Sequence, residues 1–394
     1  MKSRPLFFNK TLQIVFCVTL ISVMEVSCIA PVLPKIADAL SLTPDKANML
    51  IVIFTMPGIV LAPFFGIAAD RFGRKNVLVP ALLLFGICGT IAGFTRNFSL
   101  LLVLRFFQGA GAASLGSLNQ TIIGDVFPGK ERVTAMGYNS SVLSVGTMMY
   151  PSIGGAIALL GWHYPFFLAT LAFPVSLLVL TGLKYHEPDK NGKIGEYLKQ
   201  SIILIRKKDI ISLYIGTLAA FILLYGILLA FFPFYMKNHF HASPFIIGLA
   251  MSTSSIGAIV GSFNLGTFAG KFSSKKLLVT GYLIYPVALT MAYFMPAITL
   301  FIIPVFMYGF ANGILIPNIQ TQISILAPAE YRGAFLSINS SVLRLGQTIG
   351  PLISGIIITR LGEGWVFGAG ILFAIASALF ISQGVHEMGK LEVR

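Results

Sequence analysis

Charge is scarce in this chain. Only 11% of its 394 residues are Asp, Glu, Lys or Arg, against about 25% in soluble globular domains. With 56% of residues hydrophobic, an ordinary water-soluble domain is excluded. Acids are scarcest, 14 against 28 basic residues, and histidines number five. No HExxH and no acidic dyad occurs, so an enzyme embedded in the membrane lacks both a metal set and a nucleophile–base set. His239 and His241 stand together as HFH, but two ligands do not close a metal site. Three cysteines, Cys17, Cys28 and Cys88, fall in apolar runs. Cys17 and Cys28 are about 16 Å apart along one helix, too far to bridge, so all three read as small apolar filler. No cofactor and no metal are expected. The formal charge of +14 raises the question of nucleic acid. The basic residues are scattered over short loops without a recognisable module, so no nucleic-acid partner is expected.

What the chain does have is long apolar runs. A membrane-crossing helix needs roughly 20 mostly apolar residues. Twelve such runs are read at 11–33, 47–69, 76–95, 100–124, 134–159, 163–183, 210–236, 244–269, 275–294, 297–325, 334–359 and 364–384. They are too long and too evenly apolar for barrel strands. The first run is expected to stay in the mature protein: it is long, contains Glu25, and is followed by eleven more. With both termini placed in the cytoplasm, 21 of 28 Lys and Arg fall on that side, five fall outside, and Arg105 and Arg344 lie within helices. The positive-inside rule supports this orientation, in which the lipid bilayer is the surrounding partner and most of the positive charge faces anionic lipid.

The chain also repeats itself. NSSVLSVGTMMYPSIGG (Asn139 to Gly155) recurs as NSSVLRLGQTIGPLISG (Asn339 to Gly355), nine of seventeen positions being identical. GIAADRFGRKNVL (Gly66 to Leu78) aligns at the same offset with GTFAGKFSSKKLL (Gly266 to Leu278). The expected organisation is a six-helix bundle over 1–183, a polar and basic cytoplasmic loop over 184–209 with some helical periodicity, and a second six-helix bundle over 210–394. An even number of spans per half makes the repeats parallel, related by a pseudo-two-fold axis along the membrane normal. That arrangement suits two bundles rocking about a midplane site.

Three motifs make the chain resemble the major facilitator superfamily, and more narrowly its twelve-helix drug:proton antiporters. GIAADRFGRK, Gly66 to Lys75, matches the family's loop motif between spans two and three. LVLRFFQGAGAA, Leu102 to Ala113, resembles its span-four motif. GTMMYPSIGG, Gly146 to Gly155, resembles the antiporter motif, with Tyr150 in place of its second Gly. The second copy, Gly346 to Gly355, keeps Gly350 and Pro351 but has Ser354 in place of a Gly. The resemblance implies an all-α fold of twelve transmembrane helices in two bundles, and export by alternating access.

Candidate residues follow. Asp70 can meet the positive end of a helix in the other bundle, and Arg74 can reach Asp125. By resemblance, Gly66, Asp70, Arg71, Gly73, Arg74, Lys75 and Asp125 form a conformational latch of the outward-facing state. Glu25 is the one acid deep inside a span. A carboxyl surrounded by hydrocarbon favours its neutral form, so Glu25 can pass a proton from one side to the other. Its alternative is a structural carboxylate bonded to Arg105. Arg105 is either a modulator of proton binding or a hydrogen-bonding hub. Gln108 and Asn119 share roughly its face. Spans one, four, seven and ten face the cavity by resemblance, which adds Tyr225, Phe232, Tyr235, Tyr308 and Asn312 to Glu25, Gln108 and Asn119 as cavity residues. The aromatics have lipid-facing packing as their alternative. Gly146, Pro151, Gly154, Gly155, Gly346, Gly350, Pro351 and Gly355 are expected to pack spans five and eleven across the bundle interface. Arg344, where the first half has Ser144, has three readings: pairing with the loop acids, binding an anionic substrate group, or snorkelling. The expected activity is proton-coupled export of small amphipathic, often cationic molecules by a monomer in a bacterial inner membrane. The alternative is a dedicated exporter of one metabolite.

Overall fold

A computed structural model describes residues 6–183, 208–328 and 332–385. The helical reading of the 184–207 junction lies outside these. Among the described residues the long helices are α1 (Lys10–Ala39), α2 (Pro44–Thr55 continued by Pro57–Phe72), α3 (Arg74–Phe94), α4 (Phe98–Val126), α5 (Gly129–Ile157), α6 (Tyr164–Gly182), α7 (Lys208–Phe240), α8 (Pro244–Lys271), α9 (Ser274–Phe294), α10 (Ile298–Leu326), α11 (Arg332–Leu361) and α12 (Glu363–Gly384).

Among the described residues, eleven helices are long and apolar enough to cross a membrane. The exception, α5, is 29 residues long but rich in Gly, Ser, Thr and Asn. Several of these small and polar residues pack against α1 and α8 or line the central space, as Asn139, Gly146, Gly154, Gly155, Ser144 and Thr147 do, which interrupts its apolar run. The first run extends past its expected end at residue 33, because Pro31 sits in a short 3₁₀ turn, Ala30–Val32, and Pro34 sits in the first turn of the helix that follows, Leu33–Ala39. Proline is tolerated there, where a missing N–H breaks no helical bond.

Among the described residues two large hydrophobic cores form, beside a small cluster of Ala269, Leu277 and Ile314. One draws its buried residues from Leu12 to Leu183 and the other chiefly from Ile210 to Val385. Each crosses over once: Phe234 packs into the first core and Ala30 into the second. The cores meet along two pseudo-equivalent pairs, α5 with α8 and α2 with α11. One end of the molecule carries the 66–75 loop and is called here the basic end. The other is the far end. Among the described residues, every hydrogen bond between the cores lies from the middle to the far end. Thr55 and Thr348 share one at 2.9 Å and Ser152 and Ser252 another at 2.7 Å. Asn48 Nδ2 donates to Pro351 O at 3.2 Å, Thr359 Oγ1 donates to Asp45 Oδ1 at 2.9 Å, and Lys237 Nζ pairs with Asp38.

Glycine sets the closeness of these contacts. A Cβ on Gly248 would lie 2.1 Å from Pro151 O, and one on Gly155 would lie 2.2 Å from Pro244 O. On the other pair, a Cβ on Gly355 would come within 2.8 Å of Asp45 Cα. The remaining repeat glycines pack inside their own halves. Gly146 and Gly154 lie on α1 at Leu20 and Cys28, and Gly346 and Gly350 lie on α7 at Leu218 and Ile222. The expected joint between spans five and eleven is therefore two joints, and only Gly155 and Gly355 of the six glycines cross between the halves. Pro151 and Pro351 expose their carbonyls across the same boundary.

Candidate functional site

The first polar cluster lies inside the first half. Arg105, on α4, is fully buried, and its Nη1 donates to Glu25 Oε1 at 2.5 Å and to Gln108 Oε1 at 3.0 Å. Its Nε donates to Leu50 O at 3.0 Å, and its guanidinium lies 4.5 Å from the centre of the Phe54 ring. A lone charge in hydrocarbon is costly, and pairing with an opposite charge and a backbone carbonyl offsets much of that cost. This pulls Glu25, Arg105 and Gln108 away from the cavity and into helix–helix space. Asn119 also turns inward: its Nδ2 donates to Thr19 Oγ1 at 2.9 Å, and Thr19 donates to Asn139 Oδ1 at 2.6 Å. Glu25, Gln108 and Asn119, expected on the cavity, are thus buried in the first bundle instead.

The second half repeats part of this. Thr217 Oγ1 donates to Asn339 Oδ1 at 2.7 Å. The Asn of each Asn-Ser-Ser therefore ties its helix to the first helix of its own half. Also on α11, Cγ, Cδ and Nε of Arg344 lie against Gly58 of α2, and its Nη1 donates to Gln347 Oε1 at 3.1 Å.

A cavity of about 300 Å³ lies between the halves, lined by α1, α5, α7, α8 and α10. Its polar groups are hydroxyls and one amide, among them Ser27, Ser144, Thr147, Tyr225, Ser254 and Asn312. Apolar Leu143, Leu228 and Met251 fill the rest, and no acid lines it among the described residues. Of the residues expected on the cavity, Tyr225 and Asn312 line it. Phe232, Tyr235 and Tyr308 pack inside the second half instead: Phe232 and Tyr235 against Phe301 and Phe367, and Tyr308 against Phe232 and Tyr285. For Phe232 and Tyr235 the reason is local. Pro233 cannot donate to the preceding turn, and residues Leu224–Phe231 form a π-helical stretch. The wider turn changes the register, so residues beyond it leave the face that 3.6-residue spacing assigns them. Sequence reading also missed the contribution of α5 and α8. The signal was present as the Ser252-Thr253-Ser254-Ser255 run in an otherwise apolar span.

At the basic end, Arg74 Nε lies 3.1 Å from Asp125 Oδ2. Both belong to the first half, joining the start of α3 to the end of α4. Gly73 between α2 and α3 has φ +94° and ψ 141°, a conformation essentially confined to glycine. Arg71 is exposed, with its guanidinium over the Phe72 ring, and Lys75 is half-buried. The surroundings of Gly66 and the Asp70 side chain lie outside the described side chains, and so does the expected contact of Asp70 with the other bundle. The three cysteines are free, and no cluster of three or more metal-ligating side chains occurs among the described residues.

Comparison with known proteins adds to this geometry. The family profile described as Major Facilitator Superfamily matches residues 15–237 and again 213–387. The chain is 27% identical to "Multidrug resistance protein 2" of Bacillus subtilis over 350 residues, 86% of each chain. It is 26% identical to "Quinolone resistance protein NorA" of Staphylococcus aureus over 357 residues, 88% of this chain and 89% of that one. Among solved structures, that of a D-xylose-proton symporter superposes with a TM-score of 0.79 at 18% identity, covering 96% of this chain and 98% of the other.

Proposed function

Because the chain belongs to the Major Facilitator Superfamily, we propose that it is a proton-coupled antiporter exporting small amphipathic molecules by alternating access. The curated relatives named for multidrug and quinolone resistance support the export of amphiphiles. The observation that carries the proton is the buried Glu25–Arg105 pair. Glu25 is the only acid deep in a span, and a protonated Glu25 no longer holds Arg105 by charge. Ser27, two residues on, lines the cavity, and Cys28 packs against Gly154 of α5. A shift of α1 on protonation therefore reaches both the cavity and the far-end joint. Coupling in this reading runs through α1 and not through direct competition at the carboxylate.

Orientation follows from charge: the basic end faces the cytoplasm. The described contacts then close the external side, and the cavity belongs to an inward-facing state. The latch of Gly66, Asp70, Arg71, Gly73, Arg74, Lys75 and Asp125 is proposed to form its cross-bundle contact in the opposite state. One chain builds the whole path, so a monomer in the bacterial inner membrane suffices.

The test is proton flux in everted membrane vesicles with an imposed pH gradient and a panel of amphiphiles. Substrates are expected to collapse the gradient with the parent and not with Glu25→Gln. Equal responses from both make Glu25 structural. The hydroxyls of the cavity favour one second reading, a dedicated exporter of a single metabolite. Silence of the parent towards every amphiphile, followed by uptake of one labelled metabolite, establishes it.

A further inference from the structure

Arg344 is left without a role by the proton pair. It stands twelve residues into α11, about 18 Å from the helix start at 1.5 Å per residue. The side chain does not run towards the membrane surface: its Cδ and Nε lie over Gly58 of the other half, where a Cβ would stand 3.1 Å and 3.2 Å away. Gly58 is twelve residues from Asp70 on the same helix, again about 18 Å, so the acid of the loop motif is remote. The hydrogen-bond partner of the guanidinium among the described residues is the neutral Gln347, and no ion pair involving Arg344 occurs among them. The group is only partly buried. Glu25, the deep acid of the other half, is already held by Arg105.

Arg344 is not itself in the lining of either neighbouring cavity, but both linings carry hydroxyls. Tyr225, which lines the central cavity, stands on the stretch of α7 that packs against α11, where a Cβ on Gly226 would lie 2.7 Å from Gly350 O. On the basic-end side, Ser337 and Ser340 precede Arg344 on the same face of α11. They line a second cavity of about 210 Å³ with Ser117 and Thr121 of α4. Hydroxyls can donate to an anion as it passes, and a guanidinium can take it in a two-pronged bond. Neither cavity lining contains an acid among the described residues.

We propose that Arg344 anchors the head group of the substrate, and that the chain carries amphipathic organic anions whose acidic group enters past Ser337 and Ser340 while the apolar body occupies the central cavity. This rests on the export reading and narrows it to a substrate class.

The experiment is equilibrium binding to the purified full chain in lipid nanodiscs at neutral pH. The probes are 2-naphthoate, its methyl ester and 2-naphthyl-trimethylammonium, which share one aromatic body. No gradient is involved, so a protein that fails the proton-flux test still reports its preference here. The parent is expected to bind naphthoate at least about ten-fold tighter than either other probe, the size of one charge-assisted hydrogen bond. Arg344→Gln is expected to level the three, and Arg344→Lys to keep most of the preference. The proposal is overturned by equal affinities or an ammonium preference in the parent, by no naphthoate binding, or by an Arg344→Gln protein that still prefers naphthoate. Should Arg344→Gln fail to fold, the ranking in the parent and in Arg344→Lys decides.

Discussion

Single residues carry unequal weight here, and environment decides which matter. The two halves begin their third helices in different ways at aligned positions. Gly73 does so with φ +94°, whereas Ser273 has φ −67° and its side chain accepts from Lys276 N. Gly73→Ala is therefore expected to destabilise by about 1–3 kcal/mol, the cost of a side chain in that backbone region. Ser273→Ala loses one N-cap bond, about 1 kcal/mol. Thermal unfolding of the purified variants checks the order. A Ser273 variant that costs as much as the Gly73 variant would show that the cap, and not backbone strain, dominates at both sites.

At the scale of helices, the repeated stretch has two jobs that its sequence does not separate. Its Asn, first Gly and middle residues bind each helix to the first helix of its own half, through Asn139 to Thr19 and Asn339 to Thr217. Its last Gly meets the opposite half. Hydrogen bonds between membrane helices contribute about 0.6 kcal/mol on average and up to about 1.7. Asn139→Ala and Asn339→Ala are each expected to cost within that range. Asn139→Ala should cost more, since Thr19 also accepts from Asn119 and the chain of bonds is cut at its end. Equal and negligible losses in chemical unfolding would remove the Asn from the account of why the stretch occurs twice.

For the whole molecule, the question is what holds the far end closed. Two kinds of contact compete for that role. Lys237 and Asp38 form an ion pair, but their side chains are 33% and 63% exposed, and such pairs contribute about 0–1 kcal/mol. The α5–α8 joint is steric: any side chain on Gly248 meets the Pro151 carbonyl. Gly248→Leu is therefore expected to push the population away from far-end closure, while Lys237→Ala shifts it less than about five-fold. Distances between spin labels placed on α5 and α8 at the far end measure both. A larger opening with Lys237→Ala than with Gly248→Leu would reverse the assignment.

Much of this was legible in the chain itself. Hydropathy pointed to the helices other than α5, because lipid cannot hydrogen-bond a bare backbone, and the spacing of the repeat pointed to α5 and to the two halves. The scarcity of acids singled out Glu25, and the apolar setting singled out Arg105 and Arg344. Which way those side chains turn was not legible. Every face of a helix buried among helices is apolar, so periodicity does not tell cavity from core. Glu25 and Arg105 turned into the bundle because an ion pair there replaces lost water. Phe232 and Tyr235 turned with the register of a π-helical turn set beside Pro233. Tyr308 turned to meet Tyr285 and Phe232. The sequence by itself determined that the chain is built of apolar helices in two related sets, since these depend on local composition and on the repeat. Only the tertiary structure decided which polar residues face the cavity, because that depends on partners brought together from helices a hundred residues apart.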